Sequence, residues 1–185
     1  MSKVYVFLAT GFEEIEALTP VDILRRAGIT VDVVSVTGSE IVTGARGINV
    51  KADVLFENMD KDAADVLVLP GGMPGTLNLH AYKPLMELVD KYNSAGKRIA
   101  AICAAPTIFG KEGLLKGKKA TCYPGMEKDL LGADVQKESV VTDGNITTSR
   151  GMGTALDFSL ELLKLLSGSS EKAEKMAEAV VYLKD

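Results

Sequence analysis

Short apolar runs alternate with longer helical patterns along almost the whole chain, and this alternation limits the available folds more than any other feature. Val4 to Ala9 (VYVFLA), Thr30 to Val36 (TVDVVSV), Val66 to Leu69 (VLVL) and Arg98 to Ile102 (RIAAI) read as strands. The continuous apolar character of VLVL is that of a central strand covered on both faces. Between the strands lie Glu13 to Arg26, with an apolar stripe at Ile15, Leu18, Val21, Ile23 and Leu24, and Lys83 to Ser94, with Leu85, Met86, Leu88 and Val89. Ala27-Gly28 is a helix stop signal for the first of these. The stretch from Ile41 to Val54, broken by Gly44 and Gly47, predicts a hairpin excursion. Further on, a helix is expected from about Ala105 toward Gly113, a strand over Lys119 to Cys122, and strands within Ser139 to Ser149 around an Asp143-Gly144 turn. Helices are expected over Thr154 to Leu166 and Glu171 to Leu183.

Strand–helix alternation of this kind implies a mostly parallel, doubly wound α/β sheet sandwiched between helices. At 185 residues, with no internal repeat and no linker-like segment, residues 1–185 read as one domain. In such sheets the functional crevice lies at the carboxyl ends of the strands. Three loops are therefore the places to look: Thr10 to Glu16, Pro70 to Gly75, and Ile102 to Pro106.

Charge excludes several classes of partner. Twenty-one Lys and Arg against 25 Asp and Glu give a net charge of −4, which disfavours nucleic acid and anionic membranes. The short basic cluster Lys116, Lys118, Lys119 reads as a solvated loop. No apolar run approaches the ~20 residues of a membrane helix, and Val4 to Ala9 is too short for a secretory core. A cytoplasmic protein is expected. Cys103 and Cys122 are too few for a disulfide scaffold, and no Cys-x-x-Cys or His-x-x-x-His spacing suggests zinc. Neither a metal nor an organic cofactor is called for. The glycine loop Gly71-Gly72-Met73-Pro74-Gly75 fits neither the dinucleotide nor the phosphate-loop fingerprint.

Cys103 sits where a buried strand turns into a helix, with Ala101 and Ala105 two residues on either side. That is the small-residue spacing of a nucleophile elbow. A helix N-terminus there would stabilise a thiolate. The same residue could equally be a small buried hydrophobe. Glu13 and Glu14 suffice to complement the first helix's dipole, which leaves Glu16 at the crevice. There, burial and like charge would raise its pKa and let it donate or shuttle a proton. His80, the one histidine, lies in a polar stretch and reads as a surface residue. Cys122 ends a predicted strand that could reach the crevice, as a resolving thiol or as an inert buried one.

Taken together, these words resemble the ThiJ/PfpI superfamily, in the branch of the parkinsonism-associated deglycase (DJ-one) and bacterial YajL. The matching segments are Gly11-Phe12-Glu13-Glu14-Ile15-Glu16, Arg25-Arg26-Ala27-Gly28-Ile29, Val68-Leu69-Pro70-Gly71-Gly72, Ala100-Ala101-Ile102-Cys103-Ala104-Ala105-Pro106 and Thr148-Ser149-Arg150-Gly151-Met152-Gly153-Thr154. The resemblance implies a flavodoxin-like homodimer, with Cys103 as an oxidation-prone nucleophile and Glu16 as its protonated partner. Gly72 and Ala104 would supply backbone N–H groups to an oxyanion or an oxidised sulfur. Arg26 and Arg46 match arginines near the family's dimer interface that help build the cysteine environment. Implied activities are glyoxalase or deglycase chemistry on methylglyoxal-like dicarbonyls and their adducts. The alternative is redox sensing or chaperone behaviour through Cys103 sulfinate. Protease-type members carry His where this chain has Ala104, so a peptidase reading loses its base. Human-like members carry a His at the position of Tyr123.

Overall fold

In a computed structural model, which describes residues 2–182, the predicted alternation becomes a layered α/β fold. Its elements are β1 (Lys3–Leu8), α1 (Glu14–Arg26), β2 (Thr30–Ser35), β3 (Ile41–Thr43), β4 (Asn49–Lys51), β5 (Val54–Leu55) and β6 (Val66–Leu69). There follow α2 (Gly75–Ala81), α3 (Lys83–Ser94), β7 (Arg98–Ile102), α4 (Pro106–Lys111), β8 (Lys119–Ala120) and β9 (Asp134–Val135). The chain continues through β10 (Val140–Asp143), β11 (Ile146–Ser149), α5 (Ala155–Ser167) and α6 (Ser170–Ala179). The central sheet has the order β10-β11-β7-β6-β1-β2-β5. All its neighbours run parallel except β10, which returns antiparallel on β11 through the Asp143-Gly144 turn.

The period of two along each strand sorts the core into two layers. Val4, Val6 and Leu8 of β1 join Val66, Val68, Ala100 and Ile102 under α1 and α5, against Ala17, Val21, Leu24, Phe158 and Leu162. Tyr5 and Phe7 point the other way, with Leu67, Leu69, Ile99 and Ala101. They pack against Leu79, Leu85, Leu88 and Val89 of α2 and α3 and Ile108 of α4. Strands buried on both faces therefore read as unbroken apolar runs, as VLVL does. Outside α1 and α5, the third helix of that layer rests its Ala173 on Ile23 and Leu160. Among the described residues no helix is long and apolar enough to cross a membrane.

Several elements differ from expectation. The predicted strand over Lys119 to Cys122 shrinks to β8, which leaves the central sheet and pairs only with β9. Beyond it the backbone is recruited elsewhere: Thr121 N–H donates to Thr148 Oγ1 (2.9 Å), and Tyr123 N–H donates to the Cys103 carbonyl (2.8 Å). Helix α2 and strands β5 and β9 have no counterpart in the sequence pattern. The last helix stops at Ala179, and Leu183, to which the prediction extends, lies outside the described residues.

The sheet brings β1, β6 and β7 side by side, so the loops leaving their carboxyl ends converge. Glu13 N–H donates to the Gly71 carbonyl (2.9 Å), and Gly75 N–H donates to the Gly11 carbonyl (3.1 Å). This stitching needs glycine at 72: its φ is +90°, and a Cβ there would collide with the backbone of residues 11–13.

Candidate active site

Cys103 lies at the point where β7 ends. Its backbone is left-handed (φ 65°), one of only two non-glycine residues with positive φ among those described. For a residue with a Cβ that conformation costs on the order of 1–2 kcal/mol, so surrounding contacts must hold it. They do so on both sides of the chain: Cys103 N–H donates to the Ser149 carbonyl (2.9 Å), and the Cys103 carbonyl accepts from Tyr123 N–H (2.8 Å). Ala101 and Ala105 are fully buried beside the bend, where larger side chains would not fit. The thiol keeps partial exposure.

Glu16 comes from the first turn of α1 and is fully buried. Its Oε2 accepts the Gly71 N–H at 3.0 Å, and its carboxyl is close enough to the Cys103 thiol for each group to perturb the other's titration. Oε1, though buried, has no hydrogen-bond partner. A Cβ at Gly71 would sit 2.7 Å from Cys103 Cβ and against Glu16 Oε2, so glycine is what lets the strand end approach the pair. Burial is the first cause that lifts the Glu16 pKa, from 4.5 to about 7. Hydrogen bonds from Cys103 and Gly71 hold it down, and the nearby Glu13 adds a smaller upward push.

The thiol departs from expectation. Burial, then the charge of Glu16 and its hydrogen bond, push Cys103 up to about 12, against the lowering effect of the Ala104 and Gly72 N–H groups. The thiolate-stabilising helix end is also weaker than the sequence implied, since α4 is a single short piece of 6 residues. Burial and the Glu16 charge both favour the protonated sulfur. The proton must leave as the sulfur reacts, and the adjacent carboxyl is the group placed to receive it.

The remaining candidates fall into two groups. The backbone N–H groups of Gly72 and Ala104 lie close enough to the sulfur to lower its pKa. Tyr123 stands at the rim, 46% exposed, with its ring over Gly151. Arg46 lies nearby: its N–H donates to Glu14 Oε1 (2.8 Å), and its guanidinium is 3.9 Å from Glu13. Arg26 is instead at the far end of α1, about 15 Å along the axis from Glu16. It is paired there with Asp22 (2.7 Å) and takes no part in this chain's site. His80 is a partly exposed residue bonded to Glu112 (2.8 Å). Cys122 is buried in the layer beneath α2 to α4, whereas Cys103 packs on the α1 side, and both thiols are free.

Known proteins resemble this chain along nearly its whole length. Residues 2–165 match the DJ-1/PfpI family. The chain belongs to that family. Against Drosophila melanogaster protein dj-1beta it is 40% identical over 184 residues, which cover 98% of each chain. The crystal structure of Drosophila DJ-1beta superposes with a TM-score of 0.93 at 39% identity, covering 100% of both chains. A Pyrococcus abyssi protein named as a deglycase is 36% identical over 167 residues, 89% of this chain and 99% of that one. Arabidopsis thaliana DJ-1 homolog B is 43% identical over 174 residues; the match takes in 93% of this chain but 40% of that longer protein. The flavodoxin-like fold expected from the resemblance is the one observed.

Proposed function

We propose that this DJ-1/PfpI protein is a cofactor-independent glyoxalase/deglycase-type enzyme acting on methylglyoxal-like dicarbonyls and their adducts, through Cys103 and Glu16. The observation that carries the reading is a buried carboxyl, pKa about 7, in contact with a thiol that the backbone holds in a strained turn. Near neutral pH the Glu16 carboxyl is partly ionised while Cys103 keeps its proton. As the Cys103 sulfur bonds to the aldehyde carbon of methylglyoxal, Glu16 takes the thiol proton, and the aldehyde oxygen collects charge facing the Gly72 and Ala104 N–H groups. Glu16 passes that proton on to the oxygen, giving a neutral hemithioacetal that keeps the former aldehyde hydrogen on C1. The freed carboxylate removes this hydrogen as a proton and delivers it to the C2 oxygen, giving an enediol; it then carries the C1 hydroxyl proton to C2, so that C1 becomes the thioester carbonyl and C2 a secondary alcohol, with Glu16 again ionised. Water then cleaves the thioester, giving lactate and the free thiol. The sum is methylglyoxal plus water to lactate, with no external oxidant or reductant.

The test is lactate formation from methylglyoxal by freshly reduced protein beside the Cys103→Ala variant. Turnover confined to the parent protein supports the reading, and equal rates in both would overturn it. Kinship with a protein named as a deglycase favours the same chemistry on glycated adducts.

A second reading has its own observation. The N–H groups of Gly72 and Ala104 at the sulfur are suited to holding the oxygens of a sulfinate, which favours redox sensing. Gain of two oxygens at Cys103 alone after mild peroxide, read by intact mass, would support it. The protein is further proposed to be a cytoplasmic homodimer. A cleft of about 650 Å³ runs along α1, lined by Ile15, Leu18, Asp22, Arg26 and, from the end of α6, Val180. Ile15 and Leu18 are 51% and 36% exposed there, and burying them calls for a partner surface.

A further inference from the structure

The peptide unit that follows the sulfur is held from behind. Its carbonyl, that of Cys103, accepts the Tyr123 N–H at 2.8 Å. Its N–H, that of Ala104, lies close enough to the sulfur to lower the thiol's pKa. In a trans peptide the carbonyl and the N–H point in opposite directions within one rigid plane. A donor fixed on the carbonyl therefore fixes the direction of the Ala104 N–H, and it also polarises that group into a stronger donor. Tyr123 lies outside every strand and helix, so its own N–H has to be held by something else.

Thr148 of β11 supplies that hold. Its Oγ1 accepts the Thr121 N–H at 2.9 Å, and both residues are fully buried. The hydroxyl stands out from its surroundings. Thr148 pairs with Ala101 of β7 and follows Ile146 by two residues, which puts its side chain on their face of the sheet. Ala101, Ile146, Ala120 and Cys122 all belong to the apolar layer beneath α2 to α4. A valine would fill the same space there; the oxygen is what captures residue 121. The next residue, Ser149, grips the other side of the nucleophile. Its carbonyl accepts the Cys103 N–H (2.9 Å), while its Oγ donates to the Ser139 carbonyl (2.8 Å) and lies 2.7 Å from Thr154 Oγ1. Consecutive residues of β11 thus secure both ends of Cys103, which its left-handed backbone makes dependent on such contacts.

We infer that Thr148 is a positioning residue: by holding the Thr121 N–H it keeps the Tyr123 N–H on the Cys103 carbonyl, and so keeps the Ala104 N–H beside the reacting sulfur. This rests on the reading of Cys103 as the reactive thiol.

The experiment follows iodoacetamide labelling of Cys103 at mildly alkaline pH, by intact mass with peptide mapping. The reduced parent protein is compared with Thr148→Val, Thr148→Ser and Thr147→Val. Thr148→Val keeps the shape and loses the acceptor, and labelling should slow about tenfold, the ratio that corresponds to one net hydrogen bond. Thr148→Ser restores the acceptor and should label at the parent rate. Thr147 pairs with Ala100 on the opposite face of the sheet, where its hydroxyl meets that of Thr142 (3.1 Å). Thr147→Val therefore controls for a lost hydrogen bond elsewhere in β11 and should also match the parent. Parent-like labelling in Thr148→Val, no rescue in Thr148→Ser, or equal slowing in Thr147→Val overturns the proposal. Should Thr148→Val not fold by circular dichroism, a pair at residue 123 carries the test. Tyr123→Ala removes the ring and keeps the N–H, whereas Tyr123→Pro removes both, so the proline variant should label about tenfold more slowly than the alanine variant. Equal rates in that pair also overturn the proposal. Labelling needs no turnover, so a parent protein that labels yet leaves methylglyoxal unchanged sinks the enzyme reading alone. A folded parent protein whose Cys103 is never labelled sinks both.

Discussion

Replacing Glu16 with Gln should change not only how stable the protein is but how its stability depends on pH. Burial raises the Glu16 carboxyl from 4.5 to about 7, so the folded chain keeps a proton that the unfolded chain has lost throughout that window. Where the folded state binds more protons, stability falls as pH rises. The native protein is therefore expected to lose about 3 kcal/mol between pH 4.5 and pH 8 from this one group, with the loss complete once pH passes the folded value. Glutamine has the same shape and can still accept the Gly71 N–H, but it does not titrate. Any cost of the amide itself is independent of pH and only offsets the curve. Urea unfolding of both proteins, reduced and at one fixed concentration, should be measured at half-unit steps from pH 4.5 to 8. The difference in unfolding free energy, variant minus parent, should grow by about 3 kcal/mol toward high pH. Cys103 does not intrude, because its titration lies above this range. Two parallel curves would refute the argument, since they would mean that Glu16 ionises in the fold as freely as in water.

Other substitutions test other parts of the structure. Gly72→Ala puts a Cβ into the backbone of residues 11–13 at a positive φ, and should cost about 2–4 kcal/mol, read as a lower urea midpoint. Cys103→Gly should be more stable than Cys103→Ala by about 1 kcal/mol in thermal unfolding, because only glycine relieves the left-handed backbone; equal stabilities would remove the strain at the elbow. Ile15→Glu places a charge on the exposed apolar face of α1 and should convert a dimer to monomers in light scattering at unchanged far-UV circular dichroism. A variant that stays dimeric would place the interface elsewhere.

What the sequence made legible was what local pattern controls. Helix α3 matches its predicted span, Lys83 to Ser94, because its apolar residues recur at helical spacing. The strands β1, β6 and β7 were legible because burial on both faces leaves no polar residue inside the run. Helix α2 was missed for the converse reason: it follows Pro74, opens on Gly75 and spans only 7 residues, too few to display a period. The strand over Lys119 to Cys122 was overextended because its backbone groups after Ala120 go to Thr148 and Cys103, contacts that only the tertiary fold supplies. At the site, small residues around Cys103 and a surplus carboxylate at the crevice were visible in the letters. That Glu16 would have one oxygen without a hydrogen-bond partner was not, since it depends on what the tertiary fold packs around that carboxyl.

The raised pKa of Cys103 is compatible with reactivity because of how its causes divide. Burial acts whatever Glu16 does, but the charge of Glu16 and its hydrogen bond to the thiol operate only while the carboxyl is ionised. Once Glu16 accepts the proton, both reverse or vanish, and the N–H groups of Gly72 and Ala104 act on the sulfur against burial alone. A neighbour that disfavours the thiolate as a base therefore favours it as an acid, which ties release of the thiol proton to its capture. Glu16→Gln separates the two effects. With the charge gone, the thiol should ionise at a lower pH than in the parent protein, so iodoacetamide should label Cys103 faster in the variant at pH 8 to 9 by stopped-time mass spectrometry. With the base gone, turnover of methylglyoxal should be lost, since positioned acid–base groups contribute roughly 10²- to 10⁴-fold. Faster labelling together with lost turnover is the expected pair of results. Slower labelling in Glu16→Gln would show that the carboxylate assists thiol ionisation directly, so that its charge could not be what holds the proton on the sulfur.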